Sequence, residues 1–160
     1  MKFSIDAIDI KLLEALQDDA SQSNQALAAR THISPPTCLR RVKRLRDAGL
    51  IERDIAILHA DKLAETLGHG LTAVVEITLD RQGAEQQEAF EARVAPDGAV
   101  QQCYRVSPGP DFVLVVHVRD MPAYLALAQR LFTSDVNVRN VKAFFSLKRS
   151  KFEPKLLLTP

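Results

Sequence analysis

The stretch Ser34-Pro35-Pro36-Thr37-Cys38-Leu39-Arg40-Arg41-Val42-Lys43-Arg44-Leu45-Arg46 decides how this chain is read. It carries five cations and no acid. Ser34 suits a helix N-cap. Pro35 suits the first helical position, where the N–H it lacks would have no helical partner. Cys38, Val42 and Leu45 recur at i, i+4 and i+7 and share one face, which Leu39 widens. Arg40, Arg41, Lys43 and Arg44 are left around the other side. A helix with an apolar back and a cationic front fits the major groove of B-DNA. Such a charge run also fits an ordinary solvated helix face.

The residues before it favour the groove. Ile5, Ile8, Leu12, Leu13 and Leu16 form an apolar stripe at helical spacing, with Ser4 or Asp6 as cap. The polar segment 18–23 interrupts it. Asn24 caps a second, shorter helix over residues 25–31, with Leu27 and Ala28 facing inward. His32 and Ile33 then turn tightly into the basic helix. This order is that of a helix-turn-helix, whose last helix lies in the groove while the one before it crosses the backbone. Gly49 follows where a left-handed residue commonly ends a helix. On this reading Ser34, Pro36, Thr37, Arg40, Arg41, Lys43 and Arg44 are the DNA-contacting residues. Thr37 reaches a base edge or a thymine methyl, and the cations reach phosphates or base edges, with no one of the four singled out as a base reader.

These residues resemble the N-terminal domain of the Lrp/AsnC family of transcriptional regulators. The family's opening Leu-Asp-x-x-Asp-x-x-Ile-Leu is matched by Ile5-Asp6-Ala7-Ile8-Asp9-Ile10-Lys11-Leu12-Leu13. Its Leu-Ala in the second helix is Leu27-Ala28, and its Ser-Pro is Ser34-Pro35. Its Arg-Val-x-x-Leu-x-x-x-Gly-x-Ile run is matched from Arg41 to Ile51. His32 stands where the family usually has Gly, and Ser21 where Arg is frequent. Histidine is among the more tolerant types at positive φ.

From Gly70 the pattern reads strand, helix, strand, strand, helix, strand. Ala73, Val75, Ile77 and Leu79 alternate with polar or outward positions. Residues 84–95 are helical, with Phe90 and Val94 inward. Val100, Gln102, Tyr104 and Val106 alternate. Residues 112–118 are apolar almost throughout. Asp120 caps a helix whose stripe is Met121, Leu125, Ala128, Leu131 and Phe132. Val141, Ala143, Phe145 and Leu147 close the series. This is the βαββαβ order of a ferredoxin-like sheet with a central third strand, which has valines on both faces. One face packs on helices, and a second copy of the sheet would cover the other.

This half is similar to the family's ligand-sensing domain, so the expected class is α+β. It joins an N-terminal winged-type helix-turn-helix to a C-terminal ferredoxin-like domain. The expected boundaries are 1–51 for DNA binding, 52–69 for a connector, 70–150 for effector binding and oligomerisation, and 151–160 for a tail. In the connector, residues 55–58 read as a strand and residues 61–64 as a helical turn. The resemblance implies that residues 55–58 help pair two subunits. It also implies homodimers, octamers as a higher assembly, and an amino-acid effector at the turn between the second and third strands. That turn is Ser107-Pro108-Gly109-Pro110-Asp111. Asp111 aligns with the family's acid and is expected to meet an ammonium group. Backbone N–H groups of Ser107 and Gly109 would meet a carboxylate. Pro108 stands where the family has Gly.

Composition narrows the classes. The chain has 160 residues, 46% hydrophobic, with a net charge of only +1. The cations are therefore concentrated rather than general, which suits site-directed docking. No apolar run is long enough to span a membrane, and the start of the chain lacks a signal-peptide core, so a cytoplasmic protein is expected. Cys38 and Cys103 read as reduced core thiols. His32, His59, His69 and His117 lack ligand spacing, so no metal or other cofactor is expected. No nucleophile–base pair, paired carboxylates or phosphate-cradling glycine loop points to an enzyme. The remaining alternatives are an architectural DNA-binding protein of the same fold without an effector, and an adaptor that uses its helices for protein contact. A cation-rich helix suits the adaptor poorly.

Overall fold

The computed structural model describes residues 4–68 and 70–158. Readings placed on residues 1–3, His69 and residues 159–160 lie outside them. The chain divides into two compact units, Met1–Ile57 with Lys151–Pro160, and Leu58–Ser150.

The first unit holds three helices. The first, α1 (Ala7–Asp18), starts at Asp6 rather than Ser4. The Asp6 carboxylate accepts from the N–H groups of Ile8 and Asp9, each at 2.9 Å. Asp9 returns the bond by accepting from the Asp6 N–H at 3.1 Å, which completes a capping box. The second helix, α2 (Asn24–Arg30), is capped by Ser23, not by Asn24. The Ser23 hydroxyl accepts from the Ala26 N–H at 3.2 Å. Asn24 already lies inside the helix, and its side chain donates to the Pro35 carbonyl at 2.9 Å. His32 takes the left-handed conformation, φ 57°, in the turn to α3 (Pro35–Asp47).

The end of α3 is a Schellman motif. The Leu50 N–H bonds the Leu45 carbonyl and the Gly49 N–H bonds that of Arg46, with Gly49 at φ 72°. Leu12, Ala15, Leu27, Ala28, Cys38 and Leu45 form the core of this unit. So small a core leaves little stability in reserve.

The tail belongs to the same unit. Gln17 donates to the Leu156 carbonyl at 3.1 Å and accepts from its N–H at 2.7 Å. Lys155 pairs with Asp18, which also holds Arg30.

The second unit opens with α4 (Ala60–Leu67), longer than the turn expected at 61–64. A four-stranded antiparallel sheet follows, in the order β2-β3-β1-β4, with β1 (Leu71–Leu79), β2 (Val100–Arg105), β3 (Phe112–Val118) and β4 (Val138–Phe145). α5 (Ala84–Val94) and α6 (Met121–Ala128) supply Phe90, Val94, Tyr124 and Leu127 to the core against one sheet face. The strand order is the expected one and β3 is internal.

Several details differ from the sequence reading. Residues 55–58 form no strand, because nothing among the described residues pairs with them, and Ile55, Ile57 and Leu58 are exposed. A bulge between Val100 and Gln102 breaks the simple alternation of β2. Val100 and Cys103 therefore lie opposite the inward Val116 and Leu114, and Gln102 and Tyr104 opposite Val115 and Val113. On α6, Tyr124 and Leu127 face inward while Met121 and Leu125 are exposed. The Tyr124 ring meets Phe145 edge-on, with centroids 4.9 Å apart. A wider π turn, Gln129–Thr133, then brings both Leu131 and Phe132 into the core. β4 starts three residues earlier than Val141 and ends at Phe145, leaving Leu147 outside it.

Candidate nucleic-acid interface and effector turn

The outward side of α3 is the first candidate site. Cys38 and Leu45 are buried and Val42 is half-buried, which fixes the helix face turned to the core. Pro36, Leu39, Arg40, Lys43 and Arg44 are exposed. Leu39 therefore does not widen the core face as its apolar character suggested; it is 63% exposed. Cys38 already fills the core at that level of the helix. Ser34 occupies the N-cap position but caps nothing with its side chain. Its hydroxyl donates to that of Thr37 at 2.9 Å.

The cations divide into two groups. Arg40 and Lys43 project into solvent. Arg41 turns back to α1 instead, where its Nη1 bonds Asp6 and Asp9, each at 2.8 Å. Its side chain is only 21% exposed. Arg44 also pairs with Asp9 but stays partly in water. The sequence reading placed Arg41 among the groove-facing cations, whereas here its guanidinium is spent within the domain.

Asp9 is fully buried and accepts from the Asp6 N–H, Arg41 and Arg44. Burial pushes its carboxyl up. Those hydrogen bonds outweigh burial and hold it below the usual aspartate value. Hydrogen bonds to Asp6 and then Asp9 raise Arg41 above the ordinary arginine value. Burial raises the thiol of Cys38, which suits a core residue rather than a nucleophile.

The second candidate is the turn 107–111. Asp111 is 7% exposed. Its Oδ2 accepts from the Leu79 N–H at 2.7 Å and from Gln82 Nε2 at 3.3 Å. Its own N–H donates to the Ile77 carbonyl, and its carbonyl accepts from the Val106 N–H. Asp111 thus pins the turn to the end of β1, a role its alignment with the family acid did not reveal. Gly109 sits at φ 123°, a conformation closed to most side chains. Ser107–Pro108 is a cis peptide.

The sheet face away from the helices carries an apolar band. Val115 of β3 lies opposite Val74 of β1, which lies opposite Phe144 of β4. Tyr104 lies opposite Val113. Val74, Tyr104 and Phe144 are exposed.

Among the described residues, no group of His, Cys, Asp and Glu is arranged to hold a metal, and no helix is long and apolar enough to cross a membrane.

A tri-helical reading head with outward cations, joined to a βαββαβ domain, defines a DNA-binding regulator with a separate ligand-binding domain. Comparison with known proteins supplies the family. Residues 5–52 match the winged helix-turn-helix DNA-binding family, and residues 72–156 match the Lrp/AsnC ligand binding domain. The chain is 34% identical to a leucine-responsive regulatory protein of Rhizobium meliloti over 94% of each chain. It is 32% identical to the DNA-binding transcriptional activator DecR of Escherichia coli, over 95% of this chain and 97% of that one. Among solved structures, a transcriptional regulator of Neisseria meningitidis in complex with L-methionine superposes with a TM-score of 0.83. It is 30% identical, and 97% of each chain is covered. The chain belongs to the Lrp/AsnC family of transcriptional regulators.

Proposed function

We propose that this protein binds double-stranded DNA as a homodimer, with two copies of α3 in successive major grooves about 34 Å apart. The observation that carries this is the outward face of α3, where Arg40, Lys43 and Arg44 stand exposed above a buried Cys38 and Leu45. Three such cations per protomer make six per dimer. If each meets a phosphate, log affinity falls with log salt at a slope of about −5. The apolar band on the open sheet face supports pairing of subunits, with octamers as the higher assembly. The exposed residues 55–58 supply a further pairing segment. We place the protein in the cytoplasm and read it as a regulator, not a catalyst.

An amino-acid effector acts at the turn of Ser107, Pro108, Gly109, Pro110 and Asp111. The relatives named for leucine and crystallised with methionine support that ligand class. Binding there would shift subunit association, a coupling typically worth about 1–3 kcal/mol. The architectural reading without an effector draws on one observation: Asp111 is already committed to the Leu79 N–H.

The test is a gel-shift on the DNA upstream of the protein's own gene, at near-physiological salt with excess competitor. A complex that survives competitor and weakens in Arg40→Ala supports the reading, and a salt slope near zero sinks it. A screen of the twenty amino acids by thermal shift separates the effector reading from the architectural one.

A further inference from the structure

Leu39 is, among the described residues of α3, the large apolar side chain left exposed, on a face otherwise built for water and phosphate. It is the fifth residue of α3, in the half of a recognition helix that meets base edges. It shares an outward stripe with Pro36, Arg40 and Lys43 at helical spacing. A single exposed leucine is ordinary on most surfaces. This one is flanked by the cations that would carry the helix against phosphates, so the same docking would take Leu39 out of water. The major groove offers one apolar group, the C5 methyl of thymine.

We infer that Leu39 is a specificity-determining residue that selects thymine through its methyl group. The inference rests on α3 being the helix in the groove. It also divides labour on the helix. Arg40 and Lys43 supply charge without sequence information, Arg41 is spent within the domain, and Leu39 discriminates between bases.

The experiment works without a defined operator. A duplex is selected from a random library by the full-length protein. Each thymine is then replaced singly by deoxyuridine, which keeps pairing and hydrogen bonding but removes the methyl. Affinities are measured by fluorescence anisotropy for the native protein, Leu39→Ala and Arg40→Ala. Burial of one methyl corresponds to about fourfold in affinity. The expected result is one thymine per half-site where deoxyuridine weakens the native protein about fourfold. Leu39→Ala should bind the thymine duplex more weakly, be indifferent to that replacement, and keep the native salt slope.

A flat uracil scan for the native protein overturns the inference. So does a scan profile that survives unchanged in Leu39→Ala. A change in dimerisation alone, seen by sedimentation, would give Leu39 to the partner subunit instead, and that too overturns it. Should Leu39→Ala fail to fold, Leu39→Gln takes its place in the scan, and Thr37→Ser, which removes the threonine methyl, shows whether the methyl preference belongs to Thr37 instead, which would overturn the inference. Arg40→Ala keeps the two levels apart. If it weakens binding while the scan is flat, only the role of Leu39 falls. If neither variant affects binding, the reading of α3 falls as well.

Discussion

Asp9 in α1 and Asp111 before β3 are both buried carboxylates, yet they are held in opposite ways. Asp9 faces two guanidinium groups and one backbone N–H. Asp111 faces a backbone N–H and a side-chain amide. At Asp9 charge compensates charge, and removing it leaves Arg41 with Asp6 alone and Arg44 partly in water. At Asp111 dipoles do the holding, so the negative charge itself is dispensable to the fold. The helical unit is therefore tied by ionisation, and the turn before β3 by hydrogen-bond geometry.

The largest expected effect follows from that contrast. Asp9→Ala should destabilise the first unit by about 3 kcal/mol, at the low end for breaking a buried pair because Arg44 keeps contact with water. Asp111→Ala leaves a buried N–H without its partner and should cost about 1–2 kcal/mol. Thermal melts that reverse this order would break the comparison.

Acid sharpens it. Asp6, Asp9, Asp18 and Asp19 in the first unit all lie below the ordinary aspartate value; in the second, Asp97 does so through Arg130. A carboxyl whose folded pKa is depressed stabilises above its unfolded value, about 4, and that stability is lost as pH falls below it. Among the described residues the first unit holds more such groups, so it should unfold first as pH drops below about 4. Residue-resolved hydrogen exchange across the titration checks this.

Smaller effects separate roles. Asp111→Asn keeps an acceptor for Leu79 and should change stability by less than about 1 kcal/mol. If an ammonium group is recognised there, the same variant should abolish stabilisation by the amino acid. On DNA, Arg40→Ala should flatten the salt slope by about 1.8 per dimer, while Arg41→Met should leave it unchanged. Equal slopes for the two variants would return Arg41 to the groove. The smallest effect is expected for Gln17→Ala, which removes two exposed hydrogen bonds to the tail and should cost at most about 1 kcal/mol.

The sequence revealed the folded elements more readily than the partners of particular side chains. Helical spacing in α1 and α3 exposed the core faces, period-two alternation exposed β1, and a nearly unbroken apolar run exposed β3. Arg41 was not distinguishable from Arg40, because the acids that claim it lie 32 and 35 residues away and no local spacing links them. Leu39 looked like core because its type outweighed its position, one residue beyond Cys38 on the turn. Asp111 could be aligned with a motif, but its bond to Leu79 exists only once β1 and the turn are side by side. The bulge in β2 and the π turn after α6 each shift a register, and no residue there announces them. Residues 55–58 had strand chemistry without a strand beside them.

The hydrogen bonds between Gln17 and Leu156 hold the tail against α1 within the first unit. The first unit holds both the segment that opens the described chain and the segment that closes it. α1 has 12 residues and spans about 18 Å, so a linker of roughly six residues would reach from the docked tail to the start of the helix. Joining residue 158 to residue 4 and cutting at residues 57–58 would give a circular permutant that begins with the sheet domain and ends with the reading head. Such a permutant should fold, with the clasp at Gln17 holding the joined ends on the same unit.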